Sequence, residues 1–438
     1  MKNYPNAVKE KLMTLINEMS ASPEPYVKNP GKDFTRNRKL PFDEVVKLLI
    51  SMGGNSIYKE LLESQGYNLN TATSSAFVQQ RDKILPSALE VLLHSFTDSC
   101  ANIKKHRRYR LLAVDGSDLG IAVNPHDYDT YFQNHPGEKG YNLLHLNAMY
   151  DLCNRLYVDA LTQSKRLKNE KRAMVSMIDR SSLKDDIIVI ADRNYECYNC
   201  FAHIEKKGWR YLVRVKDVDS RGILSGLSLP PDEEFDVRVR RVLTRKHTKE
   251  IKAHPDIYRF LPYATKFDFL PACSKDFYPM TFRAVRFKIT NDSYETVITN
   301  LDDGEFSPGE LKELYKMRWG VETSFRELKY AVGLTCFHSK KREHIIQEVF
   351  ARLIMYNFAE MITTHVVVSR AYTKHAYQVN FTVAILLCRQ FLRLRNHAPP
   401  FNVEALIRKN VLPVRPDRKS KRITRRISKT VSFLYRVA

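Results

Sequence analysis

Four side chains between residues 315 and 329 have the types and spacing to handle phosphate and metal. Tyr315, Arg318, Glu322 and Lys329 follow one another at intervals of three, four and seven residues. At about 100° per residue, they fall within an arc of roughly 60° on one helix face. A hydroxyl, a guanidinium, a carboxylate and an ammonium would then point the same way, the cations suited to phosphate and the carboxylate to a metal ion.

Two further carboxylates follow apolar runs that read as buried strands. Residues 111–114 lead into Asp115, and the continuous run Ile187–Ala191 leads into Asp192. Each aspartate alone is typical of a solvated strand end. Together with Glu322 they form a set of three that can hold two Mg²⁺ ions, which prefer oxygen ligands and usually retain substrate phosphate and water.

The segment that must carry the first four side chains is predicted to be one long helix over residues 307–333. Ser307 can cap it, Pro308 suits the first helical position, Glu310 completes a capping box, and Gly333 can close the far end. A single apolar stripe would pack this helix on a sheet. The stripe consists of Leu314, Val321, Phe325, Leu328 and Val332.

The elements that must carry the two aspartates alternate in a recognisable order. We expect a turn at residues 116–118, directly after the first aspartate, and strands and helices in the order β-β-β-α-β-α-β. This order predicts an α/β fold with a ribonuclease-H-like core. The predicted strands cover residues 111–115, 141–150, 155–163, 187–191 and 209–215, and the predicted helices cover residues 169–180 and 195–207.

The N-terminal region has helical apolar spacing. Residues 41–52 and 57–62 flank a Gly-Gly-Asn-Ser break, as in a helix-turn-helix pattern, and a third helix from Ser74 would present residues 79–81. Gln79, Gln80 and Arg81 could read base edges or hold phosphates, or could equally form a polar solvated helix face.

The rest of the chain divides by composition. Strand-like runs over residues 235–243, 281–289 and 294–301 indicate a β-rich insertion with a turn at residues 291–292, and residues 343–368 and 375–395 read as long helices. Residues 408–438 hold eleven Lys or Arg and one acid, a composition that favours phosphate contact. We predict a helical DNA-binding region at 1–102, a catalytic domain at 103–216 and 297–365, the insertion at 217–296, and a helical C-terminal region with a basic tail at 366–438.

The net charge of the chain indicates which class of partner to expect. The 438 residues carry a net charge of +22, far beyond what solubility needs, so a polyanion is the expected partner. Nucleic acid is favoured over a membrane surface because the best apolar run, residues 381–388, is short. The seven cysteines favour reduced thiols, and Cys197 and Cys200 lack a second pair for zinc, so we expect buried thiols there.

The Tyr-x2-Arg-x3-Glu-x6-Lys pattern resembles the Y-R-E-K signature of the insertion sequence 4 family of bacterial DDE transposases. The likeness covers most of residues 111–359 and is limited to two short segments in the N-terminal region. The similar segments are VDGSD at 114–118, VIADRNY at 189–195, YLVRVK at 211–216, TNLD at 299–302 and GLTCFHSK at 333–340, with residues 33–36 and 76–81 toward the N terminus.

The resemblance implies an enzyme that excises DNA at terminal inverted repeats and joins the freed 3′ hydroxyl to a target. It implies action as a homodimer on double-stranded DNA, with magnesium or substituting manganese, in the bacterial cytoplasm at the nucleoid. The catalytic and metal-binding residues it implies are Asp115, Asp192 and Glu322, and the DNA-contacting residues are Tyr315, Arg318, Lys329, Arg214, Lys216 and Trp319.

One departure and two alternatives stay open at this point. Some relatives stack a flipped base on a tryptophan within the insertion, whereas the two tryptophans here, Trp209 and Trp319, lie outside it. Tyr258, Phe260 or Tyr263 could serve instead, or the hairpin route of cleavage could be absent. A DNA-binding protein with an inactive centre, or a ribonuclease-H-like nuclease acting on other nucleic acid, would carry many of the same residues.

Overall fold

The structure of the protein is a computed structural model that describes residues 4–36, 38–100, 103–218, 220–290, 293–366, 376–394 and 402–414. The chain is mixed α/β, with a large mixed sheet and helices around it. The helices are α1 Tyr4–Ala21, α2 Phe42–Ser51, α3 Ile57–Ser64, α4 Ser74–Arg81, α5 Pro86–Asp98, α6 Glu170–Arg180, α7 Tyr198–Lys206, α8 Lys249–Ala253, α9 Pro308–Lys316, α10 Trp319–Tyr330, α11 Arg342–Thr363, α12 Phe381–Arg393 and α13 Val403–Lys409.

The strands follow the apolar runs of the sequence closely. They are β1 Arg110–Ile121, β2 Tyr131–Phe132, β3 Tyr141–Asp151, β4 Leu156–Ser164, β5 Ile187–Ala191, β6 Arg210–Val215, β7 Phe235–Thr244, β8 Tyr258–Phe260, β9 Phe277–Thr290, β10 Ser293–Thr299, β11 Tyr377–Val379 and β12 Val411–Pro413. In the described part of the chain, ten of them form one sheet in the order β2-β3-β1-β5-β6-β10-β9-β7-β8, and β4 also pairs with β3.

Three neighbouring strands of this sheet position the first two carboxylates. β1 runs antiparallel to β3 and parallel to β5, and β5 runs parallel to β6. All five residues of β5 are buried, as expected for a strand covered on both faces. Val114 pairs with Ala191, so the next residues, Asp115 and Asp192, emerge side by side at the same edge of the sheet.

The prediction of a turn directly after Asp115 is wrong. β1 continues through residues 116–118 to Ile121, because β3 pairs with it along its whole length, from Leu112 opposite Asp151 to Ile121 opposite Asn142. The weak strand propensity of a Gly-Ser-Asp segment is overridden by this long antiparallel ladder.

The β-rich segment extends the same sheet. β10 pairs antiparallel with β6, β9 with β10 and β7 with β9, so the ladder is continuous from β6 outward. The turn expected at residues 291–292 lies outside the described residues. The domain boundaries proposed from sequence therefore cut across a single sheet at residues 216 and 297.

The long helix expected over residues 307–333 is two helices. Ser307 and Glu310 form the expected capping box at the start of α9. At Met317 and Arg318 the backbone N–H groups bond to carbonyls three residues back, at Leu314 and Tyr315, rather than four. This tighter winding interrupts the α-helix between α9 and α10.

The N-terminal helices pack around α11 rather than standing apart. α1, α2 and α5 contact α11, and all four contribute to one hydrophobic core with the β4 edge of the sheet. The prediction that residues 79–81 are presented together is wrong for Gln80 and Arg81, which are both buried. Arg81 donates to Glu348 at 3.0 Å and to Gln347 at 3.2 Å. An arginine reads as a surface residue in sequence, and its buried acidic partner lies far along the chain.

The C-terminal region begins differently from the expected helix over residues 375–395. Tyr377–Val379 pairs with Val411–Pro413 as a two-stranded sheet, and the helix starts at Phe381. Residues 415–438, which hold most of the basic tail, lie outside the described residues. Among the described helices, none combines the length and the uninterrupted apolar run that a bilayer crossing requires.

Candidate active site

Asp115 and Asp192 lie next to each other at the edge of the sheet, each held by a local hydrogen bond. One oxygen of Asp115 accepts from the backbone N–H of Gly116 at 2.8 Å. Asp192 caps a short 3₁₀ turn and accepts from the backbone N–H of Asn194 at 2.9 Å. The strand register and these two contacts fix the position of both carboxylates before any ligand binds.

Glu322 reaches the same place from α10, and Arg318 connects it to Asp115. The Nη2 of Arg318 donates to Oε1 of Glu322 at 2.8 Å, and its Nη1 lies 3.8 Å from Oδ2 of Asp115. Val321 and Phe325 on the buried face of α10 seat the helix in the core, so Glu322 points away from it. The structure therefore brings together the three carboxylates that the sequence singled out, with a guanidinium among them.

Tyr315 packs against the Arg318 guanidinium. Its ring lies 5.7 Å from the Arg318 guanidinium carbon, its side chain is 5% exposed, and its hydroxyl is buried without a hydrogen-bond partner among the described residues. Tyr315 thus contacts Arg318 and is largely buried in the metal-free and DNA-free protein.

The electrostatics of the site follow from crowding three carboxylates together. Burial, with the neighbouring charges of Asp192 and Glu322, raises the pKa of Asp115 to about 6, against the opposing effects of the Gly116 N–H and Arg318. Burial works against the charged form of Arg318, but Tyr315, Glu322 and Asp115 hold its pKa above the ordinary value. A site with three acids and one fixed cation is suited to taking up further positive charge.

The three carboxylates are spread around the Arg318 guanidinium rather than gathered in one tight cluster. Ligand atoms of Asp115, Asp192 and Glu322 do not all lie within 4.8 Å of one another, and Arg318 occupies the space between the first and the last. Among the described residues, Glu90, His94 and Asp159 do meet this distance. Arg180 pairs with both of those acids, and His94 bonds to Asp159, so that cluster is already neutralised.

The other residues predicted to contact DNA lie around the carboxylates at different depths. Lys329 donates to the backbone carbonyl of Asp118 on β1 at 2.9 Å. Arg214 pairs with Glu295 at 3.0 Å, and the side chain of Lys216 is exposed and forms no ion pair with any described carboxylate. Trp319 is 55% exposed, with the Arg318 guanidinium carbon 5.4 Å from its ring. These groups form a cationic and aromatic margin beside the acids.

Sequence reasoning missed a group of polar residues beneath this edge. His145, buried in the middle of β3, lies 2.6 Å from Asp118 through Nδ1 and 2.9 Å from Glu170 through Nε2. The two carboxylates raise the pKa of His145 despite its burial. A signal was present: His145 and Asn147 interrupt an apolar strand at a spacing of two, which places two polar groups on one face.

Cys197 and Cys200 lie at the start of α7. Cys200 is buried in α7, while Cys197 is half-buried at its N-cap, where the Cys200 thiol and backbone N–H groups lower the pKa of Cys197 to about 6. His203 bonds to Asp179 at 2.9 Å and lies 3.1 Å from Asp268. Both ring nitrogens of His203 therefore face carboxylates.

With this geometry in hand, comparison with known proteins identifies the class. Residues 106–358, more than half of the chain and including all three carboxylates, match the family described as "Transposase DDE domain", so the chain belongs to that family of transposases. No curated protein matches the sequence. Among solved structures, a cryo-EM structure of the piggyBac transposase synaptic complex with hairpin DNA is similar, with 10% identity, 96% of this chain and 87% of that chain covered, and a TM-score of 0.47.

Proposed function

We propose that this transposase excises an insertion sequence at its terminal inverted repeats and joins it to a target, as a member of the insertion sequence 4 family. The observation that carries the proposal is the meeting of Asp115, Asp192 and Glu322 beside Arg318. The order β4-β3-β1-β5-β6, in which β3 alone runs antiparallel to the other four strands, supports a ribonuclease-H-like core beneath them.

The donor set fits magnesium, with manganese as a substitute. Three carboxylates offer hard oxygen ligands, and the raised pKa of Asp115 reflects repulsion that bound cations would relieve. Two ions held there would supply activation of the attacking oxygen and charge stabilisation at the leaving oxygen. Asp115, Asp192 and Glu322 would hold them, which requires Glu322 to exchange its contact with Arg318 for the metal.

The surrounding cations bind and orient the DNA strand in this proposal. Arg318, released from Glu322, faces the scissile phosphate, and Lys329, Lys216 and Arg214 follow the backbone on either side. The exposed ring of Trp319 offers a stacking surface for a base next to the cut. In the insertion, Tyr263 is 80% exposed, whereas Phe260 stacks on His247, so Tyr263 is the more accessible ring for a flipped base.

The N-terminal region supplies a second cationic surface, which we assign to duplex DNA. Lys32, Arg36, Arg38 and Lys83 line a cleft of about 470 Å³ between the loop before α2 and the helix α4. An adjoining cleft of about 800 Å³ is lined by Lys39, Thr71, Thr73 and Gln79, among others. Among the described residues, neither lining includes an acidic side chain, as expected for a surface that meets phosphates.

We assign DNA binding to residues 1–102 and catalysis to residues 103–216 and 297–365. Residues 217–296 form the insertion, and residues 366–438 form the basic C-terminal region. The protein would act as a homodimer on double-stranded DNA at the bacterial nucleoid, in the cytoplasm.

The decisive experiment incubates the purified protein with Mg²⁺ and DNA carrying the ends of its own element. We expect cleavage and strand joining that Glu322→Gln abolishes and that Glu313→Gln leaves intact, because Glu313 is an exposed acid on α9 paired with Lys316. Cleavage by Glu322→Gln at the wild-type rate would refute the site. Binding without cleavage under any divalent ion would identify an inactive relative, and cutting without joining would identify a nuclease.

A further inference from the structure

The buried histidine beneath the catalytic edge touches the backbone that carries Asp115. A Cβ atom added to Gly116, the residue that follows Asp115, would lie 2.5 Å from Nε2 of His145 and 2.9 Å from Oε1 of Glu170. The backbone of Gly116 therefore rests directly against the pair formed by these two side chains. Glycine is required here for space, since any side chain would displace the imidazole or the carboxylate.

Glu170 extends the contact to the loop that carries Asp192. It is the first residue of α6, and one of its oxygens accepts from the side-chain amide of Asn194. The backbone N–H of the same Asn194 donates to Asp192 at 2.9 Å. Asn194 thus connects the Glu170 carboxylate to the carboxylate of Asp192.

Asp118 closes the arrangement on the other side. Its carboxylate lies 2.6 Å from Nδ1 of His145 and also bonds to Lys165, while its backbone carbonyl accepts from Lys329 of α10 at 2.9 Å. His145 is 1% exposed, and its ring sits between the carboxylates of Asp118 and Glu170, two residues that together touch all three elements of the proposed active site. These elements are β1, the loop after β5, and α10.

We propose that His145 and Glu170 are positioning residues that set the separation of Asp115 and Asp192 and thereby the affinity of the site for divalent cations. This inference rests on the proposed function, in that it assumes these aspartates bind metal. Neither residue touches the substrate or the ions. They hold the backbone at Gly116 and the turn at Asn194 in fixed relation, as groups behind metal ligands commonly do, where their removal costs 10–100-fold in affinity or activity.

The test measures Mn²⁺ binding to the metal-free, DNA-free protein by titration calorimetry and by loss of the free-ion resonance signal. His145→Ala and Glu170→Ala are expected to weaken Mn²⁺ binding about 10-fold or more. Gly116→Ala removes no polar group and is expected to weaken it similarly, because its methyl group displaces the imidazole. Binding to transposon ends without metal should stay within about twofold of wild type for all three, since no predicted DNA contact is removed.

His203 provides the matched control. It is also a buried histidine between two carboxylates, Asp179 and Asp268, but it lies on α7 away from the carboxylate edge. His203→Ala should cost comparable thermal stability and leave Mn²⁺ affinity unchanged. Mn²⁺ affinity in folded His145→Ala equal to that of His203→Ala would overturn the inference, whereas a wild-type protein that binds no Mn²⁺ would refute the proposed metal site itself.

Discussion

Arg318 and Glu322, one helical turn apart, form a 2.8 Å ion pair on the face where the three carboxylates meet. The guanidinium thus occupies part of the place that cations would take in the proposed metal site. Metal binding there would break or rearrange this contact, so the ion pair would compete with the metal.

Arg318→Gln should therefore bind Mn²⁺ more tightly than the wild type. Removing a fixed positive charge beside Asp115 and Glu322 strengthens the attraction for a divalent ion, by an expected 3–30-fold, roughly 1–2 kcal/mol at 1.4 kcal/mol per factor of ten. DNA cleavage should fall at the same time, because the group that faces the phosphate is lost. Calorimetric titration with Mn²⁺ and single-turnover cleavage check both; weaker Mn²⁺ binding would show that Arg318 assists the metal instead.

Asp115→Asn should stabilise the metal-free protein at neutral and higher pH. Burial raises the folded-state pKa of Asp115 to about 6, above its value of ~3.9 in an unfolded chain. Such a group contributes stability that is fully present below pH ~4 and is lost as the pH rises through about 6. The variant escapes that loss, so its free energy of unfolding at pH 8 should exceed the wild type's by up to about 3 kcal/mol.

Urea unfolding in EDTA at pH 4.5 and pH 8 measures this difference. The gain from Asp115→Asn should fall at pH 4.5 to about a third of its value at pH 8, and the exposed Asp186→Asn should show no gain at either pH. An Asp115→Asn protein less stable than the wild type at pH 8 would mean that the three carboxylates do not repel one another in solution.

Lys329→Ala should weaken binding to transposon ends and reduce the dependence of that binding on salt. If the ammonium contacts one phosphate, the slope of log affinity against log salt falls by about 0.9. Fluorescence anisotropy across 50–300 mM salt, a range chosen to span strong to weak screening, measures the slope. Lys206→Ala on α7 is the control, and an unchanged slope for Lys329→Ala would show that this lysine serves only the β1 backbone.

Arg81→Met should destabilise the whole chain by about 3–5 kcal/mol, because it leaves Glu348 buried without its guanidinium partner. The double variant Arg81→Met/Glu348→Gln should recover part of that loss, since no uncompensated charge remains. Thermal and urea unfolding give both values. A loss confined to the N-terminal helices, with the sheet unfolding as in the wild type, would show that the two regions do not unfold together.

Local sequence was sufficient for the elements whose pattern is set by nearby residues. The run before Asp192 and the capping box at Ser307 are such cases: the strand lies where the sequence predicts it, and the helix begins there. The extension of β1 beyond Asp115 depends on β3, and the break at Met317 had no signal in the local sequence pattern. Neither is a property of the segment itself.

The candidate site divides in the same way. Side-chain type and spacing were enough to single out Asp115, Asp192 and Glu322, because two of them directly follow predicted buried strands and the third lies on a predicted helix face. His145 escaped notice because a histidine in an apolar strand reads as a core residue. Its role depends on Glu170 and Gly116, which meet it only after the sheet forms.

The packing of the first hundred residues around α11 affects how the chain matures on the ribosome. α2 and α5 are synthesised early, and their partner α11 begins at Arg342, so their apolar faces remain uncovered through most of translation. A chain terminated before α11 would leave those faces in water, where they favour aggregation and degradation over a free DNA-binding fragment. Premature termination before α11 would then yield no stable N-terminal fragment.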